Sequence, residues 1–112
     1  MRLTPVLLLF IFELIQAHPI ELENAATAIQ GLLTDIRYAG NDNFLGRPVD
    51  GYQAPACLLS RDSLQALTQA QEHAQKIGLT LLVYDCYRPQ RAVDDFIRWI
   101  QSDVPQTMKE RY

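Results

Sequence analysis

The clearest helical pattern in the chain lies between Ser60 and Gly78. Ser60 is a suitable N-cap residue, and Gly78 stands where a helix would stop. The apolar residues between them recur at intervals of three and four: Leu64, Leu67, Ala70, Ala74 and Ile77. This spacing predicts an amphipathic helix with one buried face.

A short apolar run follows that helix. Leu81 to Tyr84 are continuous apolar residues, a pattern typical of a strand that is buried on both faces. Asp85 to Pro89 then turn the chain. Pro89 is expected at the first position of the next helix, where its missing N–H costs nothing.

A second amphipathic helix is predicted after Pro89. Its apolar face comprises Ala92, Val93, Phe96, Ile97, Trp99 and Ile100. We expect Arg91, Asp94 and Asp95 on the opposite face, with Asp94 and Arg98 forming a favourable i,i+4 pair. The residues from Asp103 to Pro105 are expected to end the helix.

The segment before Ser60 has a weaker pattern. Ile20 to Asp35 shows helical spacing of its apolar residues, although Gly31 weakens that prediction. Ile36 to Ala39 fits a short strand. Gly40 to Pro55 is rich in Gly, Asn, Asp and Pro, which predicts a loop with one short strand at most.

The first 17 residues have the pattern of a secretory signal peptide. Arg2 supplies a positive charge, an uninterrupted apolar run extends from Val6 to Phe12, and Ala17 is a small residue at the expected cleavage point. Cleavage there would start the mature chain at His18 and place it in a secreted or periplasmic compartment. Glu13 interrupts the apolar pattern, and a buried N-terminal helix is the alternative.

Length and charge narrow the class of protein. The 112 residues, 48% hydrophobic and 21% charged, are typical of one small globular domain. The net charge of −3 argues against a nucleic-acid-binding protein, which needs a basic face for phosphates, and against a polybasic membrane-surface module. We therefore expect neither nucleic acid nor, after signal cleavage, a membrane as a partner.

The chain contains two cysteines, Cys57 and Cys86. An even cysteine count in a secreted chain predicts a disulfide, which would stabilise a domain this small. Two buried free thiols are the alternative. Neither a CxxC motif nor a Cys/His cluster with zinc-ligand spacing occurs.

The turn from Asp85 to Pro89 is the most informative segment for chemistry. A buried strand delivers its end residues to the edge of a sheet, which is a common place for a functional site. Arg88 could there direct its planar guanidinium into a cleft and bind a carboxylate or an oxyanion. The structural alternative is that Arg88 only pairs with Asp85, Asp94 or Asp95.

Neither histidine has the sequence surroundings of a metal ligand. His18 would be the new N-terminus, and His73 lies on the predicted helix without a His or Asp at ligand spacing on the same face. We expect His73 to be solvated. The sequence also has no HExxH, GxSxG or glycine-rich phosphate-binding motif.

Two blocks of the sequence resemble a known enzyme family. The first block comprises Asp35-Ile36-Arg37-Tyr38-Ala39 and then Asn43-Phe44-Leu45-Gly46-Arg47-Pro48-Val49-Asp50-Gly51-Tyr52. The second block runs from Leu81 to Val93 and contains Tyr87-Arg88-Pro89. In this order, with a helix between them, the blocks resemble the D-alanyl-D-alanine dipeptidases, zinc enzymes typified by the vancomycin-resistance dipeptidase.

The resemblance implies a fold and an activity. The fold is α+β, an antiparallel sheet flanked by helices that holds one Zn²⁺ ion, and it is expected to be incomplete in this chain. The activity is hydrolysis of the dipeptide D-Ala-D-Ala, the expected partner. Zinc polarises the scissile carbonyl, and a bound water attacks with a glutamate as general base.

The resemblance also implies roles for three residues. Arg88 takes the place of the arginine that stabilises the transition state. Asp85 matches an acidic residue that helps to position this arginine or the substrate. Tyr38 matches a tyrosine near the pocket.

The family's zinc ligands belong to an SxHxxGxAxD motif and an ExWH motif downstream of the second block, and this sequence contains neither motif. We therefore expect residues 18–112 to be the N-terminal part of one dipeptidase domain, binding no catalytic zinc by itself. One alternative is a catalytically inactive remnant that at most binds D-Ala-D-Ala-like ends. A small secreted interaction domain, stapled by a disulfide, is the other.

Overall fold

Four short strands form two separate ladders in the computed structural model, which describes residues 19–103. In chain order the elements are β1 (Leu22–Asn24), α1 (Ala25–Ala28), β2 (Leu33–Thr34), a 3₁₀ turn (Arg37–Ala39), β3 (Leu58–Ser60), α2 (Arg61–Lys76), β4 (Leu82–Val83) and α3 (Gln90–Gln101). β1 pairs antiparallel with β3, and β2 pairs parallel with β4. The small antiparallel sheet and its helices confirm the expected α+β class. The expected fold did not include the parallel ladder.

The long helix α2 has the ends that the sequence predicts. Ser60 caps its N-terminus, since the Ser60 hydroxyl accepts a hydrogen bond from the Ser63 N–H. Gly78 follows its C-terminus with a φ of +75°, a conformation that costs glycine little. Within the helix Gln71 is buried, and its side-chain carbonyl accepts a hydrogen bond from the Leu81 N–H. Gln71 therefore ties the helix to the start of β4.

The helical spacing over residues 20–35 produces only the single turn of α1. Asn24 caps this turn by accepting a hydrogen bond from the Ala26 N–H. However, the Ala25 N–H donates to the carbonyl of Cys57, and the flanking residues pair as β1 and β2 with strands far along the chain. Strand pairing at long range therefore outweighs a helix that is too short to be stable alone.

The segment 36–39, predicted as a short strand, is a 3₁₀ turn. The Ala39 N–H donates to the carbonyl of Ile36, and the Gly40 N–H donates to that of Arg37. The Arg37 N–H donates to the carbonyl of Tyr84, the residue that follows β4. The chain thus leaves the parallel ladder in a tight turn with local hydrogen bonds.

The strand β4 and the helix α3 differ from the prediction in burial and in their boundaries. Leu82 and Tyr84 are exposed, so the expectation of a strand buried on both faces is wrong. Pro89 is the N-cap residue, and α3 begins one residue later than expected, at Gln90. The helix ends at Gln101, before the segment that was expected to stop it.

Two apolar clusters form the core. One cluster packs Ala25, Ile29, Leu32, Ile36 and Cys57 together, and the other packs Leu45, Val49, Ala92, Phe96 and Trp99. Tyr52 contacts both clusters. The predicted disulfide between Cys57 and Cys86 is confirmed, with its Cα atoms 5.1 Å apart. It links the residue before β3 to the turn that follows β4.

The helix α3 buries a carboxylate that the sequence pattern assigned to its polar face. Asp95 accepts hydrogen bonds from the Arg47 guanidinium at 2.8 Å on each oxygen, and another from the Asp50 N–H. The hydrogen bonds from Arg47 outweigh burial and hold the pKa of Asp95 well below its usual value. Arg98 pairs with Asp50 and Asp95, so the expected Asp94–Arg98 pair is wrong.

No helix within residues 19–103 is long and apolar enough to cross a membrane. The expected signal peptide at residues 1–17 and the expected N-terminal His18 lie outside the described residues, and both stay predictions.

We expect Asp95→Asn to lower the free energy of unfolding by about 1–3 kcal/mol, because it breaks buried, charge-assisted hydrogen bonds. The pKa of Asp95 is lower in the folded state than in the unfolded state. Its stabilising contribution is therefore present above the unfolded-state pKa and is lost as the pH falls through the folded-state pKa. Urea unfolding at neutral and acidic pH measures both effects. The control is Asp94→Asn on the exposed side, and equal losses for the two variants would contradict the prediction.

We expect the double variant Cys57→Ala/Cys86→Ala to lower the free energy of unfolding by about 3–4 kcal/mol, because the disulfide closes a loop across 29 positions. Denaturant titrations with and without a dithiol reductant measure this loss. The wild-type chain should respond to the reductant and the double variant should not. A wild-type stability that is indifferent to reduction would argue against the prediction.

Candidate functional site

The turn from Asp85 to Pro89 joins β4 to α3 and is fixed at two points. The Cys86 side chain is bonded to Cys57, and the Tyr87 N–H donates to the carbonyl of Leu58 at 2.9 Å. Both anchors lead to β3 or to the residue just before it. The turn is therefore held on the antiparallel ladder as well as on the strand that precedes it.

The Asp85 carboxylate is the centre of a hydrogen-bond network. Its Oδ1 atom accepts hydrogen bonds from the Tyr52 hydroxyl at 2.8 Å and from the Cys86 N–H at 3.0 Å. Its Oδ2 atom accepts from Arg88 Nε at 3.0 Å and from Arg88 Nη2 at 2.8 Å. The Asp85 carboxylate thus links the loop that carries Tyr52, the backbone of its own turn and the Arg88 side chain.

The Arg88 guanidinium lies between this carboxylate and two aromatic rings. Its Cζ atom is 5.2 Å from the ring centroids of both Tyr38 and Phe96, within the range of a cation–π contact. Partial burial lowers the pKa of Arg88, but the hydrogen bond and the charge of Asp85 outweigh it and raise the pKa above its usual value. Arg88 is therefore a fixed cation, and 42% of its side chain remains exposed.

Tyr52 reaches the network from the loop that precedes β3. Burial, and then the hydrogen bond and negative charge of Asp85, raise the pKa of Tyr52 well above its usual value. The phenol therefore stays protonated and acts as a hydrogen-bond donor. Gly51 has a φ of +92°, and a Cβ atom there would lie 2.8 Å from Pro89 Cγ. This glycine allows the loop to pack closely against the turn.

Two open cavities flank these residues. One, of about 480 Å³, has an apolar wall that includes Leu22 and Leu58, with Ser63 and Arg88 at its polar side. The other, of about 310 Å³, is lined in part by Tyr38. Arg88 thus lines the first cavity, and its guanidinium lies against the Tyr38 ring.

The structure brings together the three residues that the sequence singled out, since Arg88 contacts both Asp85 and Tyr38. It selects Asp85, rather than Asp94 or Asp95, as the carboxylate that pairs with Arg88. Sequence reasoning gave no role to Tyr52, although it closes the first of the two blocks. Its position directly after Gly51, in a loop that ends a recognised block, was the available signal.

The described residues do not offer a zinc site. Within residues 19–103 no three His, Cys, Asp or Glu side chains converge on a common point. His73 is exposed on α2, as expected, and the oxygens of Asp85 already accept hydrogen bonds from Tyr52 and Arg88.

The chain is similar to known dipeptidases. A family model described as D-Ala-D-Ala dipeptidase matches residues 18–112. Over 84 residues the chain is 45% identical to the D-alanyl-D-alanine dipeptidase of Streptomyces coelicolor and 42% identical to that of Enterococcus faecalis. These matches cover 75% of this chain but only 42% of each relative. The chain therefore spans about two fifths of the length of these relatives.

We expect Tyr52→Phe to loosen the Arg88 guanidinium, because Asp85 loses one of the hydrogen bonds that hold it in place. The Arg88 Nε–H should exchange with water faster in nitrogen NMR spectra, and the free energy of unfolding should fall by about 0.5–1.5 kcal/mol. Tyr84→Phe is the control, since the Arg37 guanidinium lies over the Tyr84 ring and the Tyr84 hydroxyl is not among the described groups that hydrogen-bond to Asp85. Unchanged exchange at Arg88 in Tyr52→Phe would show that Asp85 is held without Tyr52.

Proposed function

Because this chain belongs to the D-Ala-D-Ala dipeptidase family, we propose that it takes part in hydrolysis of the dipeptide D-Ala-D-Ala, with Arg88 stabilising the transition state. The observation that carries this proposal is the environment of Arg88. Its guanidinium is fixed by Asp85 and two aromatic rings, yet it remains accessible beside a cavity large enough for a dipeptide.

The proposed role follows from where charge develops during amide hydrolysis. Attack of water on the scissile carbonyl turns its oxygen into an oxyanion, and a guanidinium N–H already in place binds that oxyanion more strongly than the neutral carbonyl. Only two of the five N–H donors of Arg88 are directed to Asp85, by the hydrogen bonds described above. The Arg88 side chain is 42% exposed, and its remaining N–H donors are proposed to bind the substrate.

Asp85, Tyr52 and Tyr38 act on the substrate through Arg88 in this proposal. Asp85 holds the guanidinium by two hydrogen bonds, Tyr52 donates to Asp85, and the Tyr38 ring lies against the cation. Fixing the donor before the substrate arrives avoids reorganisation during the reaction. Asp85 is therefore proposed as a positioning residue and not as a general base.

Zinc, which the resemblance implies, would polarise the carbonyl and activate the attacking water in a complete family domain. Its ligands are not found among residues 19–103, so the proposal assigns them to sequence outside that range. The proposed compartment is secreted or periplasmic. The signal-peptide pattern supports it, and so does the Cys57–Cys86 disulfide, because disulfides persist in oxidising compartments.

The proposal can be tested on the full chain and on a chimera. The full chain, exported and supplied with zinc, is assayed for binding and hydrolysis of D-Ala-D-Ala. The chimera carries this chain in place of the matched 84 residues of the Enterococcus faecalis relative. Because residues 19–103 offer no zinc site, we expect the full chain to bind D-Ala-D-Ala at most, whereas an inactive chimera would favour the alternative of an inactive remnant. An active chimera, by contrast, allows the role of each residue to be measured.

In an active chimera we expect Arg88→Lys to lower kcat by roughly 10²–10³, as removal of an oxyanion donor typically does. Lysine keeps the charge but lacks the planar fork that fits both Asp85 and the substrate. Arg91→Lys is the matched control, because Arg91 is an exposed arginine three residues later, in the first turn of α3. If Arg88→Lys reduced the Tm but left kcat within about twofold, Arg88 would be a structural residue and not a catalytic one.

A further inference from the structure

The loop of residues 40–52 is attached to α3 by ion pairs. Asp95 on α3 accepts two hydrogen bonds of 2.8 Å from the Arg47 guanidinium and one of 3.0 Å from the Asp50 N–H. Arg98, also on α3, pairs with the Asp50 carboxylate at 2.8 Å. The Asp95 side chain is only 3% exposed, so water competes weakly for these hydrogen bonds.

The 40–52 loop is also tied together from within. The Asn43 side chain is buried, and its amide group donates to the carbonyls of Gly40 and Arg47. Its side-chain oxygen accepts a hydrogen bond from the Leu45 N–H at 2.9 Å. Because the loop has these internal hydrogen bonds, a displacement at Arg47 is transmitted along the loop and not absorbed locally.

One route from this loop to Arg88 passes through aromatic rings. The Phe44 ring centroid is 5.0 Å from that of Phe96 and 6.0 Å from that of Tyr38. These are the two rings against which the Arg88 guanidinium lies. The position of the loop therefore affects the aromatic support of the cation.

The second route passes through Tyr52 at the other end of the loop. Asp50, whose N–H donates to Asp95, stands two residues before Tyr52 in the sequence. The Tyr52 hydroxyl donates to Asp85, and Asp85 accepts the hydrogen bonds from Arg88. A change at Asp95 can therefore reach Arg88 through its carboxylate partner as well as through the rings.

We propose that Arg47 and Asp95 are positioning residues for Arg88, because their bidentate ion pair sets where the 40–52 loop lies on α3. Leu45 and Val49 also pack the loop against this helix. However, apolar packing has no preferred direction, whereas two parallel hydrogen bonds fix an orientation. The consequence for hydrolysis rests on the proposed function, but the effect on the orientation of Arg88 does not.

The first test is a double-mutant cycle in the full chain, measured at Arg88 by nitrogen NMR. Arg47→Gln and Asp95→Asn should each shift the Arg88 Nε resonance and make its N–H exchange with water several times faster. The double variant should add little to either change, because both substitutions break the same ion pair. An unchanged Arg88 signal in both single variants would overturn the proposal, and so would fully additive changes.

Two control variants separate positioning from a general loss of charge or stability. Arg61→Gln removes an arginine from its exposed ion pair with Glu23, outside the 40–52 loop. Ile29→Val removes a buried methylene group from the core cluster to which α3 does not belong. Neither control should change the Arg88 signal, and a control as effective as Arg47→Gln would overturn the proposal. If Arg47→Gln does not fold, Arg47→Lys replaces it, since lysine keeps the charge but lacks the planar fork.

The second test measures kinetics in an active chimera. Arg47→Gln should lower kcat by about tenfold to a hundredfold and change KM by less than about twofold, because the ion pair orients a transition-state donor without touching the substrate. A changed Arg88 signal with an unchanged kcat would support the positioning role and contradict the proposed catalytic role of Arg88. A lowered kcat with an unchanged Arg88 signal would overturn the positioning role.

Discussion

The Asp85 carboxylate has to satisfy an arginine that is partly withdrawn from water, and the arrangement of the site depends on how it does so. Arg88 rests on the rings of Tyr38 and Phe96, where its charge needs a nearby anion. Asp85 is that anion, and its Oδ2 atom accepts the hydrogen bonds from Arg88. Its other oxygen accepts hydrogen bonds from Tyr52 and from the backbone of Cys86. The loop before β3 and the turn after β4 are therefore joined at Asp85, and Arg88 also contacts α3 through the Phe96 ring.

The division of hydrogen bonds between the two Asp85 oxygens also affects how strongly Arg88 attracts another anion. A carboxylate that interacted with Arg88 alone would neutralise it strongly and leave little attraction for another anion. Two hydrogen bonds to Oδ1 disperse part of the negative charge of Asp85 away from the guanidinium. Arg88 can then be held in a fixed orientation while it keeps much of its ability to attract a developing oxyanion. Asp85 thus fixes the orientation of the Arg88 guanidinium without neutralising its charge completely.

Local features of the site could be predicted from the sequence, whereas long-range ones could not. Arg88 and Asp85 are three residues apart at the end of an apolar run, so their proximity is a property of the turn itself. Tyr52 lies 33 positions from Asp85, and Arg47 lies 48 positions from Asp95. The helical pattern of α3 marks Asp95 as polar. Its burial depends largely on distant partners, the Arg47 guanidinium and the Asp50 N–H.

The disulfide has a consequence for how the chain matures. Cys57 and Cys86 are the only cysteines in the sequence, so oxidation within one chain has a single product. The chain can form no mispaired intramolecular bridge, and its oxidation requires a thiol oxidant but no disulfide isomerase. The only incorrect product is a covalent link between two molecules, whose yield rises with the concentration of unfolded chains. Dilution during refolding therefore controls the accuracy of oxidation in this protein.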